Sequence, residues 1–220
     1  MRPARPMLDI PTVLRATRLC GVLLTATLAL FVLGCGEDNS AGRFGFEVVL
    51  PAGWTYVSGG VSAVEGAQVR YDEDALERAI DQHAGAPLFA LLKRAPPQHA
   101  FNPTFGVNLE RDVNTRGQSA LTVLQARVAQ ATAHGAFALI AAPAATHLAG
   151  LAAARAELRA APTTGGEQGV NVRVRLHVLV VDDTTLLLAA TDAESGADDA
   201  TAEFRQIIDS LRLPGAPGSP

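Results

Sequence analysis

The stretch from Val170 to Asp192 constrains this chain more than any other. Val172, Val174, Leu176, Val178 and Val180 alternate with Arg173, Arg175 and His177. That is the two-residue period of a strand with one apolar and one polar face. Asp182-Asp183-Thr184 supplies a turn, and Leu186 to Thr191 returns an apolar run. Two long runs joined so tightly form an antiparallel hairpin. A chain built around such a hairpin has to extend an antiparallel sheet and cover it.

The other segments fit that requirement. Phe44, Phe46, Val48 and Leu50 alternate as a half-buried strand does, Pro51-Ala52-Gly53 breaks it, and Trp54 to Val57 resumes extended structure. Asp72 is placed to cap a helix over Glu73 to His83, ended by Gly85 and Pro87. Leu88 to Leu92 and Phe101 to Leu109 read as strands, the second opened by Asn102-Pro103. Ser119 to His134 reads as a helix with Leu121, Leu124, Val128 and Ala131 on one stripe and Gly135 after its end. In Leu148 to Ala160 the Ala and Leu content favours helix. The alternation of Arg155, Glu157 and Arg159 with Ala154, Ala156 and Leu158 is the strand period, and we read a strand. Asp198 to Leu211 is an amphipathic helix with Ala200, Phe204, Ile207, Ile208 and Leu211 on one face. The expected order is β-β-α-β-β-α-β-β-β-α, an α+β fold in which helices cover an antiparallel sheet.

The N-terminus reads as an address. Arg15 and Arg18 precede Leu19 to Leu33, an uncharged apolar run that stops at Gly34-Cys35 and Gly36-Glu37-Asp38. A transmembrane helix needs about 20 apolar residues, and this run is shorter; it matches a secretory signal. Val32-Leu33-Gly34-Cys35 resembles the lipobox of bacterial lipoproteins, with Leu33 bulkier than is usual at its position. The resemblance implies that Cys35 becomes a lipidated N-terminus, stably held by two or three acyl chains. It also implies, with Gly36 rather than Asp after the cysteine, the periplasmic face of the outer membrane in a diderm cell. In other cells it implies the outer face of the plasma membrane. Translation starting at Met1 or at Met7 gives the same mature chain. We divide the sequence into a signal peptide (1–34), a lipidated cysteine and short tether (35–43), a single domain (44–213) and a disordered tail (214–220). The tether spans at most about 30 Å, which keeps the domain near the membrane.

Removal of residues 1–34 takes four of the 18 basic and one of the 22 acidic residues, leaving 14 against 21 and a net charge of −7. The basic residues are scattered, which argues against a nucleic-acid footprint. With Cys20 discarded and Cys35 acylated, no thiol or disulfide remains.

Candidate chemistry is thin. His83, His99, His134, His147 and His177 show no metal-ligand spacing, and His177 reads as a solvated or hydrogen-bonded residue on the polar face of the hairpin. Asp182-Asp183 reads as a turn rather than a cation site. Glu110-Arg111-Asp112 reads as a strand-end charge cluster and Ser119 as an N-cap. Gly165 to Gly169 reads as a flexible connection and lacks a phosphate loop's Lys-Ser/Thr. Trp54 and Tyr56 read as core in an aromatic-poor chain, with the edge of a ligand groove as the other reading. We expect no cofactor and no metal. Arg155, Glu157, Arg159, Arg173 and Arg175 are a candidate partner-contact face if their strands are neighbours, against a plain solvated face.

Three landmarks together resemble the PsbP-like α/β/α sandwich: Phe44-Gly45-Phe46-Glu47-Val48-Val49-Leu50-Pro51-Ala52-Gly53-Trp54, Asn102-Pro103, and Phe204 to Leu211. The resemblance runs over Phe44 to Leu213. That family includes extrinsic photosystem II subunits, a eukaryotic factor that binds the Ran GTPase, and many bacterial lipoproteins. Its members mostly bind or stabilise partners, and it has no shared catalytic motif. What the resemblance implies is a non-catalytic, lipid-anchored envelope protein, an accessory subunit for another envelope component. A small-ligand carrier with a pocket between sheet and helices is the alternative. A hydrolytic enzyme, with His177, His147 and Asp182 converging, comes third.

Overall fold

The computed structural model describes residues 44–58, 61–65, 68–82, 87–94, 101–111, 113–160, 171–194, 196 and 198–216. The signal peptide, Cys35, the tether, His83, His99, Asp112, the Gly165–Gly169 connection and the last residues of the tail lie outside the described residues.

Ten strands form: β1 (Phe46–Val49), β2 (Thr55–Ser58), β3 (Val61–Glu65), β4 (Gln68–Tyr71), β5 (Phe89–Leu92), β6 (Thr104–Arg111), β7 (Phe137–Leu148), β8 (Leu151–Ala160), β9 (Val172–Val181) and β10 (Thr184–Ala193). Among the described residues three α-helices accompany them: α1 (Glu73–Gln82), α2 (Ala120–Ala133) and α3 (Thr201–Ser210). Eight strands make one sheet in the order β3-β2-β5-β6-β10-β9-β8-β7, antiparallel at each junction. β1 and β4 form a separate two-stranded ribbon, extended where Glu47 bridges to Arg212.

The expected hairpin is the centre of the sheet. β10 is buried along its whole length, because its two faces supply two cores. Leu186, Leu188 and Ala190 join Trp54, Phe89, Phe105, Phe204 and Ile207 on the side covered by α1, α3 and the ribbon. Leu187 and Ala189 join Val123, Leu124 and Val128 on the α2 side. The result is the α+β, α/β/α layering expected from the sequence. Trp54 settles into the core, 1% exposed and edge-on to Phe204 with ring centroids 5.5 Å apart.

Local chemistry explains the helix starts. Asp72 Oδ1 accepts the Ala75 amide at 2.8 Å, and Ser119 Oγ accepts that of Thr122 at 3.1 Å; each satisfies a donor that the first turn cannot. Helix α3 has no side-chain cap at Ala200 and begins against the sheet by other means.

The element order departs from expectation at β3, β4 and β7. The first two are short strands in the Gly-rich stretch after Ser58. β7 lies between Gly135 and Leu148, where the expected order has no element. Pro143 and a run with no polar alternation argue against a strand there. However, β7 is an outer strand, where both objections lose force. Ala149 (φ 49) and Gly150 (φ 81) turn it tightly into β8.

The charged sheet face and the open edge

The register of β8 on β9 sets Arg155 opposite His177, Glu157 opposite Arg175 and Arg159 opposite Arg173. Directly opposed residues point to one side, so the five candidate residues share a face, the one carrying α3. They do not share a role.

Arg173 and Arg175 are turned inward, beneath the first turn of α3. β10 brings Asp192 opposite Arg173, and the Asp192 carboxylate is fully buried. Arg173 Nε and Nη2 donate to its two oxygens at 3.1 and 2.9 Å, and Arg175 Nη1 donates to Oδ2 at 2.9 Å. Oδ2 also accepts the Ala200 amide at 3.0 Å. Thr201 Oγ1 accepts from Arg173 at 2.9 Å and from Arg175 at 2.5 Å. Arg173 is held more firmly protonated by its hydrogen bonds to Asp192. Asp199 is held below the usual carboxylate range, chiefly by the Thr201 hydroxyl. The Arg175 guanidinium also lies 5.6 Å from the centre of the Phe204 ring. This network replaces a helix cap: a buried carboxylate takes the orphan amide at the helix start. The candidate partner-contact face is therefore smaller than the sequence suggests, because Arg173 and Arg175 are spent on internal bonds.

Arg155 and Arg159 are exposed and Glu157 is half-buried. Arg159 is paired with Glu194 through Nε at 2.5 Å and Nη2 at 3.1 Å. His177 is not solvated as expected. Burial pushes its pKa down to about 4, with Arg155 and then Arg175 adding to the effect, so the imidazole is neutral at pH 7.

His147 pairs with Ala152, on the α2 side of β8, whereas His177 faces the α3 side. Asp182 sits in the β9–β10 turn at φ 54. The three groups that a hydrolytic site would need are thus apart. Glu110 and Arg111 form ion pairs with Arg127 and Glu77 respectively. Tyr56 is half-buried and shares a hydroxyl–hydroxyl bond of 2.8 Å with Tyr71. Among the described residues no three His, Cys, Asp or Glu are grouped to hold a metal, and no helix is long and apolar enough to cross a membrane. A cavity of about 320 Å³ is formed at the rim of the ribbon by Glu47, Arg70, Asp72, Glu73, Asp74 and neighbouring backbone. Its lining mixes these charged residues with Tyr71 and Pro214, and it does not lie between sheet and helices.

The feature that sequence reasoning missed is the outer strand, β7, which ends the sheet among the described residues. β7 (Phe-Ala-Leu-Ile-Ala-Ala-Pro-Ala-Ala-Thr-His-Leu) carries no charged residue. It is exposed through most of its length, Leu139 by 50% and Ile140 by 41%. Its register on β8 shifts between Leu139 and Ala141 and again between Ala141 and Ala144. Asp192 was also missed, yet a signal existed. A turn of Asp182-Asp183 pairs Val181 with Thr184, and counting back from there sets Asp192 against Arg173.

These features define a large antiparallel sheet covered by helices on both faces, with a two-stranded ribbon, a buried ionic capping network and, among the described residues, an uncharged outer strand. No family model matches the chain. No curated protein matches it either. The solved structures that resemble it include these two. One is LpqN, described as involved in cell envelope biogenesis of Mycobacterium tuberculosis, at 14% identity and a TM-score of 0.42, over 83% of this chain and 88% of that one. The other is the cyanobacterial PsbP protein CyanoP of Synechocystis sp. PCC 6803, at 16% identity and a TM-score of 0.40, over 83% and 98%. Neither likeness assigns a role to a residue of this chain.

Proposed function

We propose that this is a lipid-anchored protein of the cell envelope that acts by binding, as an accessory subunit of another envelope component, and not by catalysis. The observation that carries the reading is the β7 edge. Sheet edges in soluble proteins are normally guarded by charge, because their unpaired amides and carbonyls recruit other strands. An exposed, uncharged edge of this length marks an interaction site. Several ionisable groups are engaged with one another within the fold: Asp192 with Arg173 and Arg175, Glu110 with Arg127, and Glu77 with Arg111. A carrier would call for an apolar cavity between the layers, and the rim cavity has neither that place nor that lining.

The anchor is tested separately from the edge. In cells expressing the full-length chain, Cys35→Ser is expected to abolish acyl labelling and release the protein from the membrane fraction. Retention with unchanged labelling would overturn the anchor.

A further inference from the structure

We infer that Arg155 and His177, opposed on β8 and β9, form a binding site for a phosphate group. The site lies on the charged face and makes no use of the β7 edge, so its failure would leave the accessory role standing.

Donors outnumber acceptors at this corner of the face. Ala144 of β7, Arg155, His177 and Leu188 of β10 stand in one row across the sheet. The two outer residues are apolar and offer no acceptor. Arg155 is exposed and His177 half-buried. Among the described residues neither makes a hydrogen bond or an ion pair, whereas Arg159, Arg173 and Arg175 on the same face are all paired. A guanidinium carries five N–H donors and no acceptor, and a neutral imidazole carries one N–H. Opposed residues hold their Cβ atoms about 4.5–5.5 Å apart, so one oxyanion reaches both groups. The ring nitrogens of His177 are not sealed off: Arg111 Nε is the one fully buried side-chain nitrogen or oxygen without a partner among the described residues.

Charge selects the ligand. The cations nearest the imidazole are Arg155 from β8 and Arg175 two residues along β9, while β10 presents Leu188 and α3 presents Phe204 against Arg175. The carboxylates of this face are engaged elsewhere. Asp192 accepts from both arginines of β9, and Glu157 lies 3.8 Å from Arg175 Nε. Arg155 is therefore the arginine of this face without a counter-ion among the described residues. The net charge of −4 does not prevent binding, because exposed charges more than about 8 Å away are largely screened at physiological salt. A guanidinium meets a phosphate through two parallel N–H···O bonds, and the imidazole supplies a third. A phosphate monoester also carries close to two negative charges near pH 7, against one on a carboxylate. That charge favours the imidazolium and opposes the effect of burial and of the two arginines on His177. Binding therefore raises the pH at which His177 takes up its proton.

The full-length chain, labelled at histidine and held in phosphatidylcholine nanodiscs, allows the His177 ring to be followed by NMR, with His177→Gln supplying the assignment. Inorganic phosphate is expected to raise the titration midpoint of His177 by about one pH unit, a tenfold coupling, relative to chloride at equal ionic strength. Arg155→Gln, at an exposed position, should keep its circular dichroism spectrum and lose the phosphate effect. Arg159→Gln, whose partner is Glu194, should retain it. A phosphate effect equally large in Arg155→Gln would overturn the inference.

A soluble phosphate compound and a lipid headgroup present the same chemistry, and nanodiscs containing phosphatidic acid separate them. A shift with inorganic phosphate assigns a soluble ligand. A shift only with phosphatidic acid, lost in Arg155→Gln, assigns a headgroup. A shift with neither overturns the site. The accessory role is tested independently by a photo-crosslinking residue at position 145 of β7 in intact cells, where an adduct with another envelope protein supports it and the absence of one overturns it, whatever the outcome at His177.

Discussion

The underside of α3 and the free edge at β7 invert the usual placement of charge. Under α3, the Asp192 carboxylate and Arg175 are buried and the Arg173 guanidinium is largely covered. At β7, a strand of twelve uncharged residues is exposed through most of its length. The buried charges are tolerated because nearly every polar atom is matched, down to the Ala200 amide on Asp192 Oδ2. The neutral edge is tolerated only if something covers it or its irregularity discourages pairing. Residue type alone would leave the charged set outside and bury the apolar one, and the fold instead covers Arg173, Arg175 and Asp192 and leaves most of β7 exposed.

The comparison breaks most directly at Asp192. Asp192→Ala leaves two guanidinium groups without their shared acceptor and frees the start of α3, and should cost about 3–5 kcal/mol in urea unfolding. A loss under about 1 kcal/mol would show that water replaces the carboxylate and that the network does not hold the helix.

His177 probes the same buried face through pH. Its pKa is about 4 in the fold against 6.5 unperturbed, so between these values the unfolded chain binds the proton and the folded one does not. Stability is therefore full above pH 6.5 and falls as pH drops toward 4, by on the order of 3 kcal/mol at the acid end. His177→Leu should flatten that segment of a thermal-melt series. Parallel curves for wild type and variant would show the imidazole to be solvated after all.

The exposed side of the comparison should respond weakly. Arg159→Ala removes an ion pair at the surface, and only a slight loss of stability is expected, vanishing in high salt. At the edge, Ala142→Lys should change the unfolding free energy of the folded chain by no more than about 0.5 kcal/mol. A larger loss at either position would place these residues in the core rather than at the surface.

Much of the fold was readable in the sequence, for identifiable reasons. β9 and β10 were readable because apolar and polar residues alternate on one strand and run together on the other. The α2 helix was readable because Ser119 and Gly135 bracket a helical stripe. β7 was not, because a strand with solvent on both faces has no period to show, and Pro143 argued locally for a loop. Among the candidate residues, strand period correctly put Arg155, Glu157, Arg159, Arg173 and Arg175 on one face. It could not separate the two that α3 covers from those left outside. The desolvation of His177 was equally hidden, since it depends on what lies over the strand rather than on its neighbours along it.

By itself the sequence determined the periodic elements, the turn that joins β9 to β10, the helix caps at Asp72 and Ser119, and the neutrality of Phe137 to Leu148. These follow from spacing and side-chain chemistry within a dozen residues. Only the tertiary structure decided that Asp192 caps a helix lying over its own sheet, that Arg175 of a polar face is buried and Arg173 largely covered, and that an Ala-rich run is the outer strand. Each of these depends on which elements become neighbours in space. That choice is made by burying two apolar faces of one sheet at once, a condition that no short segment of the chain carries alone.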